Sequence, residues 1–142
     1  SQMEFDLDLA VQQDSDNPVY YVQYAHARIC SILKKLAAEG VLPRDCTDKE
    51  LARLDSPEEI ELIRHLGSYT SEIIASAQSY DPARVTRYLV ELATLFHKFY
   101  NARRVKGEDE GLTEARLTLC RATAIVLRNA LAMFKITAPE AM

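Results

Sequence analysis

The chain has 142 residues and a formal net charge of −4; 48% of its residues are hydrophobic and 27% are charged. This length and composition predict one globular domain with one sizeable core and argue against disorder. No apolar run approaches the roughly 20 residues that cross a bilayer, and no signal-peptide pattern opens the chain. Three widely spaced cysteines without a CxxC pair favour the reducing cytoplasm over a disulfide framework or a zinc site.

Residues 1–16 differ from the rest of the chain in charge. They hold five of the 21 acidic residues and none of the 17 basic ones, so the remainder is close to neutral. Phe5, Leu7 and Leu9 alternate with Asp6 and Asp8, which is the period of a half-buried strand. Because the rest of the chain predicts no sheet, we interpret 1–16 as an extended leader cut from the edge of a larger structure. Net charge neither supports nor excludes an RNA partner, since a local basic patch would suffice.

Four helices are predicted after the leader, each opened by a capping residue or a proline. Their predicted ranges are 17–40, 56–79, 81–103 and 113–134. Residues 43–55 are expected to form a loop with one short helical turn, and Gly67 is a weak point of the second helix. The third helix has one apolar stripe, whereas the fourth is apolar on most sides and is expected to be central. The predicted fold is an antiparallel all-α helix bundle over residues 17–142.

The first predicted helix contains an unusual cluster of aromatic and polar residues, NPVYYVQYAHARI, at 17–29. At 100° per residue, Val22, Ala25 and Ile29 lie on one core face. The polar and aromatic residues sort onto the two flanks of that face. One flank consists of Tyr21, Tyr24, Arg28 and Lys35, and the opposite flank consists of Gln23 and His26.

Spacing alone leaves two interpretations of the first flank open. Tyr21 and Tyr24 can bury their rings at the edge of the core and leave their hydroxyls in water. Alternatively, the ring faces accept unstacked RNA bases while Arg28 and Lys35 hold the RNA backbone.

A second candidate patch lies at the end of the third predicted helix. There Arg103, Arg104 and Lys106 follow Phe99 and Tyr100. Two rings beside three cations suit an RNA-facing surface, but they equally suit a solvated helix end whose cations complement the helix dipole.

The residue types that carry catalysis or metal binding form no recognisable motif in this chain. No Gly-x-Ser-x-Gly turn surrounds a nucleophile, and the four glycines provide no phosphate-binding loop. Glu61 and His65 are four residues apart, but no second such pair completes a carboxylate-bridged metal site. His26, His65 and His97 lie on three different predicted helices and are expected in rim or core positions. The sequence therefore predicts no catalytic residue and no metal ligand.

Four stretches of the chain are distinctive and occur in a fixed order. They are FDLDLA (5–10), NPVYYVQYAHARICSI (17–32), LATLFHKFYNARRV (92–105) and ARLTLCRATAIVLRNAL with the ending ITAPEAM (115–142). Together they resemble the anticodon-binding domain of the class I arginyl-tRNA synthetases over nearly the whole chain. The chain departs from that family at 134–136, where Leu-Gly-Ile is common, and at Ala141, where arginine is frequent. At 114–117, Glu-Ala-Arg-Leu only approximates the Asp-Ala-Leu-Arg signature.

The resemblance implies a fragment of a larger enzyme. The parent would be an arginine–tRNA ligase that joins arginine to its tRNA with ATP and Mg²⁺, while this part would be non-catalytic and hold no cofactor. The fold would be a bundle of the class I synthetase anticodon-binding type, and 1–16 would lead out of the catalytic domain. The implied partners are arginine tRNA and the parent's own catalytic domain, with neither DNA nor a membrane expected. A stand-alone helical protein-interaction module is the alternative.

The resemblance also implies which residues meet the tRNA. In the family, the anticodon loop is splayed open and its central cytosine is read by this domain. Tyr21, Tyr24 and Arg28 match the residues that line the site. Tyr100 is expected to stack on RNA, and Met142 joins the same wall if the tail folds back.

The remaining candidates lie around that site. Lys35, Arg103 and Arg104 are also expected to bind tRNA. Gln23 and His26 are expected to orient the first helix or to meet the catalytic domain. Tyr20 belongs either to the RNA-binding wall or to the face toward that domain.

Overall fold

The computed structural model describes residues 7–8, 13 and 16–142. Six helices are present in residues 16–142. They are α1 Pro18–Ala38, α2 Asp48–Leu51, α3 Pro57–Gly67, α4 Tyr69–Ser79, α5 Ala83–Ala102 and α6 Glu110–Met133. The described residues contain no strand, which confirms the predicted all-α bundle.

Most of the predicted helix starts are correct because the capping groups act as expected. The Asn17 side chain accepts a hydrogen bond from the backbone N–H of Val19 at 3.1 Å, with Pro18 in the first helical position. Ser56 and Glu59 form a reciprocal capping box at the start of α3. α6 begins three residues earlier than predicted, because the side chain of Asp109 accepts from the Leu112 N–H at 3.0 Å and caps the helix.

The prediction of one continuous helix over 56–79 is wrong, because the chain breaks at Ser68 between α3 and α4. The carbonyl of His65 accepts hydrogen bonds from the Ser68 hydroxyl at 2.8 Å and the Tyr88 hydroxyl at 2.6 Å. Gly67 adds the low helix propensity that marked it as a weak point. The second predicted helix is therefore two helices joined by a hydroxyl-bonded turn.

The core lies where α1, α5 and α6 meet. Ile29 of α1, Phe96 and Phe99 of α5 and Leu127 of α6 are completely buried. α6 packs against α1, α2, α3 and α5, which confirms its expected central position, and α5 packs against α1, α3, α4 and α6. α5 and α6 thus share the centre of the bundle and hold α1 along one side.

The leader can be compared with its prediction at only two positions of the proposed strand. Leu7 and Asp8 are helical, so the extended conformation predicted there is wrong at these two residues. Alternation alone does not stabilise a strand that has no neighbour to pair with. The rest of the predicted strand lies outside the described residues. Across the described ranges, no helix is both long and apolar enough to cross a membrane.

The C-terminal tail reverses direction after α6 and runs back along α1. Lys135 has a φ of 57°, and the Ile136 N–H bonds to the Leu131 carbonyl at 3.1 Å, which is a Schellman ending. A left-handed residue favours glycine, so lysine is a costlier choice here. The turn nevertheless forms and directs the tail onto the flank of α1 that carries Gln23 and His26.

Candidate nucleic-acid interface

A cavity of about 410 Å³ lies between the first half of α1 and the last turns of α5. Its walls combine three tyrosines with an arginine, a histidine and an asparagine. The lining residues are Tyr20, Tyr21, Tyr24, Arg28, His97 and Asn101. The structure therefore brings three of the predicted RNA-binding residues, Tyr21, Tyr24 and Arg28, to one site.

The two tyrosines of the first flank differ in how firmly they are held. The Tyr21 hydroxyl lies 3.1 Å from Thr94 Oγ1, which itself donates to the Val90 carbonyl. Tyr21 is half-buried against the core, as the core-edge interpretation requires. Tyr24 is 39% exposed, and its hydroxyl has no hydrogen-bond partner among the described residues. Tyr24 thus offers an open ring face, while Tyr21 anchors the wall.

Arg28 links the tyrosines of α1 to Tyr100 of α5. Its guanidinium carbon lies 4.3 Å from the centre of the Tyr100 ring and 5.9 Å from that of Tyr24. A cation over an aromatic face is attracted by the ring quadrupole. Within residues 16–142, Arg28 forms no ion pair with a carboxylate. Among the described residues, its positive charge is therefore not paired with a carboxylate, and it lines the cavity.

His97 forms the inner wall of the cavity. Its ring centre lies 5.4 Å from that of Tyr21 and 5.8 Å from that of Tyr24. Both ring nitrogens are buried, and neither has a hydrogen-bond partner among the described residues. Burial, and secondarily the positive charge of Arg28, lower the pKa of His97, so its imidazole is neutral at pH 7. An unsatisfied buried polar group costs about 1–3 kcal/mol, which makes His97 the unusual member of this wall.

A second cavity of about 470 Å³ continues from the first and shares Asn101 with it, and Tyr100 lines the second cavity. Its wall contains four basic residues. They are Lys35, Arg103, Arg104 and Lys106. The α1 flank and the end of α5 are two separate patches in the sequence, and the structure joins them.

Two of these four cations are engaged in ion pairs. Arg103 Nη2 lies 3.2 Å from Glu58, and Lys106 Nζ lies 3.0 Å from Glu39. Lys35 and Arg104 have no ion-pair partner in the described part of the chain. Of the predicted tRNA-binding cations in this cavity, Lys35 and Arg104 are therefore available to an anion, whereas Arg103 is held against α3.

The loop that carries Arg104 is fixed by a buried ion pair. Arg116 Nε bonds to Glu59 at 3.1 Å, and Glu59 is only 1% exposed. The other side of the same guanidinium donates to the Arg104 carbonyl at 2.7 Å. The capping box of α3 is thereby tied both to α6 and to the basic loop.

Gln23 and His26 hold the C-terminal tail on the opposite flank of α1. Gln23 Nε2 donates to the Thr137 carbonyl at 2.8 Å, and His26 Nδ1 lies 2.9 Å from the Pro139 carbonyl. Since a carbonyl can only accept, His26 carries a proton on Nδ1. Met142 follows this clamp, is half-exposed and is not among the residues that line the first cavity. The tail folds back along α1, as the prediction for Met142 required. It lies, however, on the flank of Gln23 and His26 and not on the flank of Tyr24 and Arg28.

The histidines do not converge on a metal. His26 bonds to the tail, and His65 Nε2 donates to the Tyr88 carbonyl at 2.9 Å. Over residues 7–8, 13 and 16–142, no group of three or more His, Cys, Asp or Glu side chains could hold a metal ion.

The sequence does not assign three lining residues of the first cavity to RNA binding. Tyr20 is expected either on the RNA-binding wall or on the face toward the catalytic domain, His97 is expected in a rim or core position, and Asn101 carries no predicted role. His97 and Asn101 are four residues apart on α5 and therefore share one face of the helix, which is a signal that spacing provides. Their approach to α1 depends on how two helices pack and cannot be read from local spacing.

The chain is similar to a known domain family and to named proteins. Residues 22–142 match the DALR anticodon binding domain family. The arginine–tRNA ligase of Ruminiclostridium cellulolyticum is 52% identical over 142 residues, which cover 100% of this chain and 25% of the relative. The arginine–tRNA ligase of Acetivibrio thermocellus is 51% identical over the same shares.

Two solved structures have the same fold over the whole chain. A putative arginyl-tRNA synthetase from Campylobacter jejuni has a TM-score of 0.82 and 27% identity, covering 100% of this chain and 30% of that one. The arginyl-tRNA synthetase of Thermus thermophilus has a TM-score of 0.81 and 31% identity, covering 100% of this chain and 24% of that one. The chain thus spans about a quarter of the length of the curated relatives. With the family match over residues 22–142 and the same fold in these structures, this chain belongs to the DALR anticodon-binding domain family.

Proposed function

We propose that this domain binds the anticodon loop of arginine tRNA and receives one unstacked base of that loop in the first cavity. The observation that carries the proposal is the arrangement of Arg28, which lies against Tyr100 beside the exposed ring of Tyr24. Aromatic faces next to an uncompensated cation suit the two parts of an unpaired nucleotide, its base and its phosphate.

The second cavity provides a continuation for the RNA backbone. Lys35 and Arg104 line it without ion-pair partners in the described chain, and Asn101 forms part of both cavities. A base inserted beside Tyr24 would leave its flanking phosphates within the field of these cations. The chain as a whole carries a net charge of −4, so attraction to RNA is local and long-range steering is weak.

The family relationship supports a wider proposal. We place the domain in an arginine–tRNA ligase, in the cytoplasm, where the catalytic part of the enzyme would join arginine to its tRNA with ATP and Mg²⁺. We assign ATP and Mg²⁺ to that catalytic part. Binding at the anticodon and at the acceptor end would reinforce each other through effective concentration. The similarity to arginine–tRNA ligases disfavours the alternative of a stand-alone protein-interaction module.

The proposal is tested by titrating the 142-residue chain into a fluorescently labelled anticodon stem-loop of arginine tRNA. A second stem-loop has its central cytosine replaced by guanosine, and both are measured by anisotropy at low and at physiological salt. We expect the cytosine form to bind about tenfold or more tightly, since a wrong base leaves polar groups unpaired. Equal affinity for the two RNAs, or no binding at a millimolar concentration of the chain, would contradict direct reading of that base.

A further inference from the structure

The inner wall of the first cavity contains a polar group that the structure leaves unused. Both ring nitrogens of His97 are buried without a hydrogen-bond partner among the described residues. The other two histidines contrast with it, since His26 bonds to the Pro139 carbonyl and His65 to the Tyr88 carbonyl. Buried polar groups are nearly always satisfied, so an unsatisfied one on the wall of a cavity points to a missing partner.

The position of His97 places its two unpaired ring nitrogens beside the site proposed for the RNA base. Its ring centre lies 5.4 Å from that of Tyr21 and 5.8 Å from that of Tyr24, both on α1. His97 and Tyr100 are three residues apart on α5 and therefore neighbour each other along the helix. A base that stacks beside Tyr24 would meet the edge of the imidazole.

We propose that His97 is a specificity-determining residue of this cavity, which hydrogen-bonds directly to the edge of the inserted RNA base. This inference rests on the proposed function. A neutral imidazole has one N–H donor and one acceptor nitrogen, so it can hydrogen-bond to the edge of a base. It does not act as a second positive charge beside Arg28. The partner class is an unpaired pyrimidine or purine with a polar edge, as opposed to an apolar ligand of the same size.

The ring nitrogens are covered in the free protein, so one neighbouring ring has to move when the base enters. Tyr21 is fastened through its hydroxyl to Thr94, at 3.1 Å. The Tyr24 hydroxyl has no partner in the described chain, and its side chain is 39% exposed. Tyr24 is therefore the ring that turns outward, after which it stacks on the base while His97 becomes accessible.

His97→Phe tests this role because phenylalanine keeps a ring in the wall and removes both nitrogens. The wild-type and variant chains are titrated with three stem-loops: the cytosine form, a central guanosine and a central abasic site. We expect His97→Phe to weaken binding of the cytosine form by about tenfold, with little change for the abasic form. The preference of the wild-type chain for cytosine over the abasic site should shrink by the same factor. Tyr80→Ala is the control, because the Tyr80 side chain is 93% exposed and lines neither cavity, and it should bind as wild type does.

The outcomes separate the two proposals. If the wild-type chain does not distinguish the cytosine form from the abasic form, the proposed function itself fails. If the wild-type chain does distinguish them and His97→Phe distinguishes them equally well, only the role of His97 is overturned.

A measurement on the unmutated chain covers the case in which the variant folds poorly. Histidine labelled with ¹⁵N reports the protonation of each ring nitrogen, and the three histidines are assigned by single substitutions. RNA binding should shift the ring signals of His97 while leaving those of His65 unchanged. Unchanged His97 signals in the saturated complex would overturn the inference.

Discussion

The two flanks of α1 differ in what their polar groups are bonded to. On one flank, Gln23 and His26 are bonded to the Thr137 and Pro139 carbonyls of the tail. On the other, Tyr24 and Arg28 have no hydrogen-bond or ion-pair partner in the described part of the chain. The same helix therefore uses one flank for its own architecture and leaves the other open.

The contrast shows how residues of similar chemistry can be assigned different roles. The clamp on the tail satisfies its donors at 2.8 and 2.9 Å, so its contribution is to stability. On the cavity flank, the fold leaves the ring face of Tyr24 exposed and the charge of Arg28 without an ion-pair partner among the described residues. Substitutions on the cavity flank should therefore change RNA affinity, whereas substitutions on the tail flank should change the free energy of unfolding.

The largest expected effect is that of Tyr24→Ala on RNA affinity. Loss of a stacked base contact is worth about 1–3 kcal/mol, which corresponds to roughly 5- to 150-fold weaker binding of the stem-loop. Because Tyr24 is 39% exposed, the free energy of unfolding should change little. The dissociation constant is measured by anisotropy and stability by urea denaturation. Wholesale unfolding of the variant would return Tyr24 to the core-edge interpretation.

His26→Ala should give the opposite pattern. It removes a buried donor and leaves the Pro139 carbonyl unpaired, which should lower the free energy of unfolding by about 1–3 kcal/mol. RNA affinity, measured at a temperature where the variant is folded, should change less than threefold. A variant as stable as wild type that binds RNA poorly would remove the distinction between the flanks.

A smaller effect is predicted for His97→Phe on stability, with a defined dependence on pH. The pKa of His97 lies below its ordinary value of 6.5, chiefly because of burial and also because of Arg28. The unfolded chain therefore takes up a proton at this position more readily, and the stability of wild type falls on this account as the pH drops through 6.5. In His97→Phe the side chain cannot take up a proton, so this decrease in stability at low pH is absent.

The difference in unfolding free energy between the two proteins is the quantity to measure. It should favour His97→Phe by about 1 kcal/mol at pH 7, since an unsatisfied buried group is removed. The difference should then widen as the pH decreases from 7 to 5. A difference that stays constant or narrows over that range would show that His97 protonates at least as easily in the folded chain as in the unfolded one.

The smallest effects are expected in the second cavity. Lys35→Ala and Arg104→Ala should each weaken binding a few-fold and reduce the slope of log K against log salt by about 0.7 if each contacts one phosphate. Arg103→Ala is the matched comparison, because Arg103 is already paired with Glu58 at 3.2 Å. Its salt slope should stay close to that of wild type. An equal change for all three arginine and lysine variants would mean that the ion pair with Glu58 opens on binding.

Local signals predicted much of this fold and part of the site. Asn17-Pro18 and Ser56-Pro57 marked helix starts because capping is a short-range interaction. The break at Ser68 was missed, since it depends on the Tyr88 hydroxyl, which comes from another helix. The angular sorting of α1 correctly separated Tyr24 from Gln23.

The remaining features of the site depend on packing between distant segments. Nothing near His97 in the sequence indicates that its ring reaches Tyr21 and Tyr24 on α1. Likewise, the partners of Gln23 and His26 lie more than a hundred residues away, in the tail. Such contacts follow from the arrangement of whole helices and from the reversal at Lys135.

Photocrosslinking tests the central claim most directly. An anticodon stem-loop carrying 5-iodocytidine at the central position is bound to the chain and irradiated, and the crosslinked peptide is identified by mass spectrometry. An iodinated pyrimidine reacts with an aromatic side chain stacked on it, so we predict crosslinks to Tyr24, Tyr21 or Tyr100. Crosslinks confined to the tail side of α1 around Gln23 and His26, or to α4, would contradict the account.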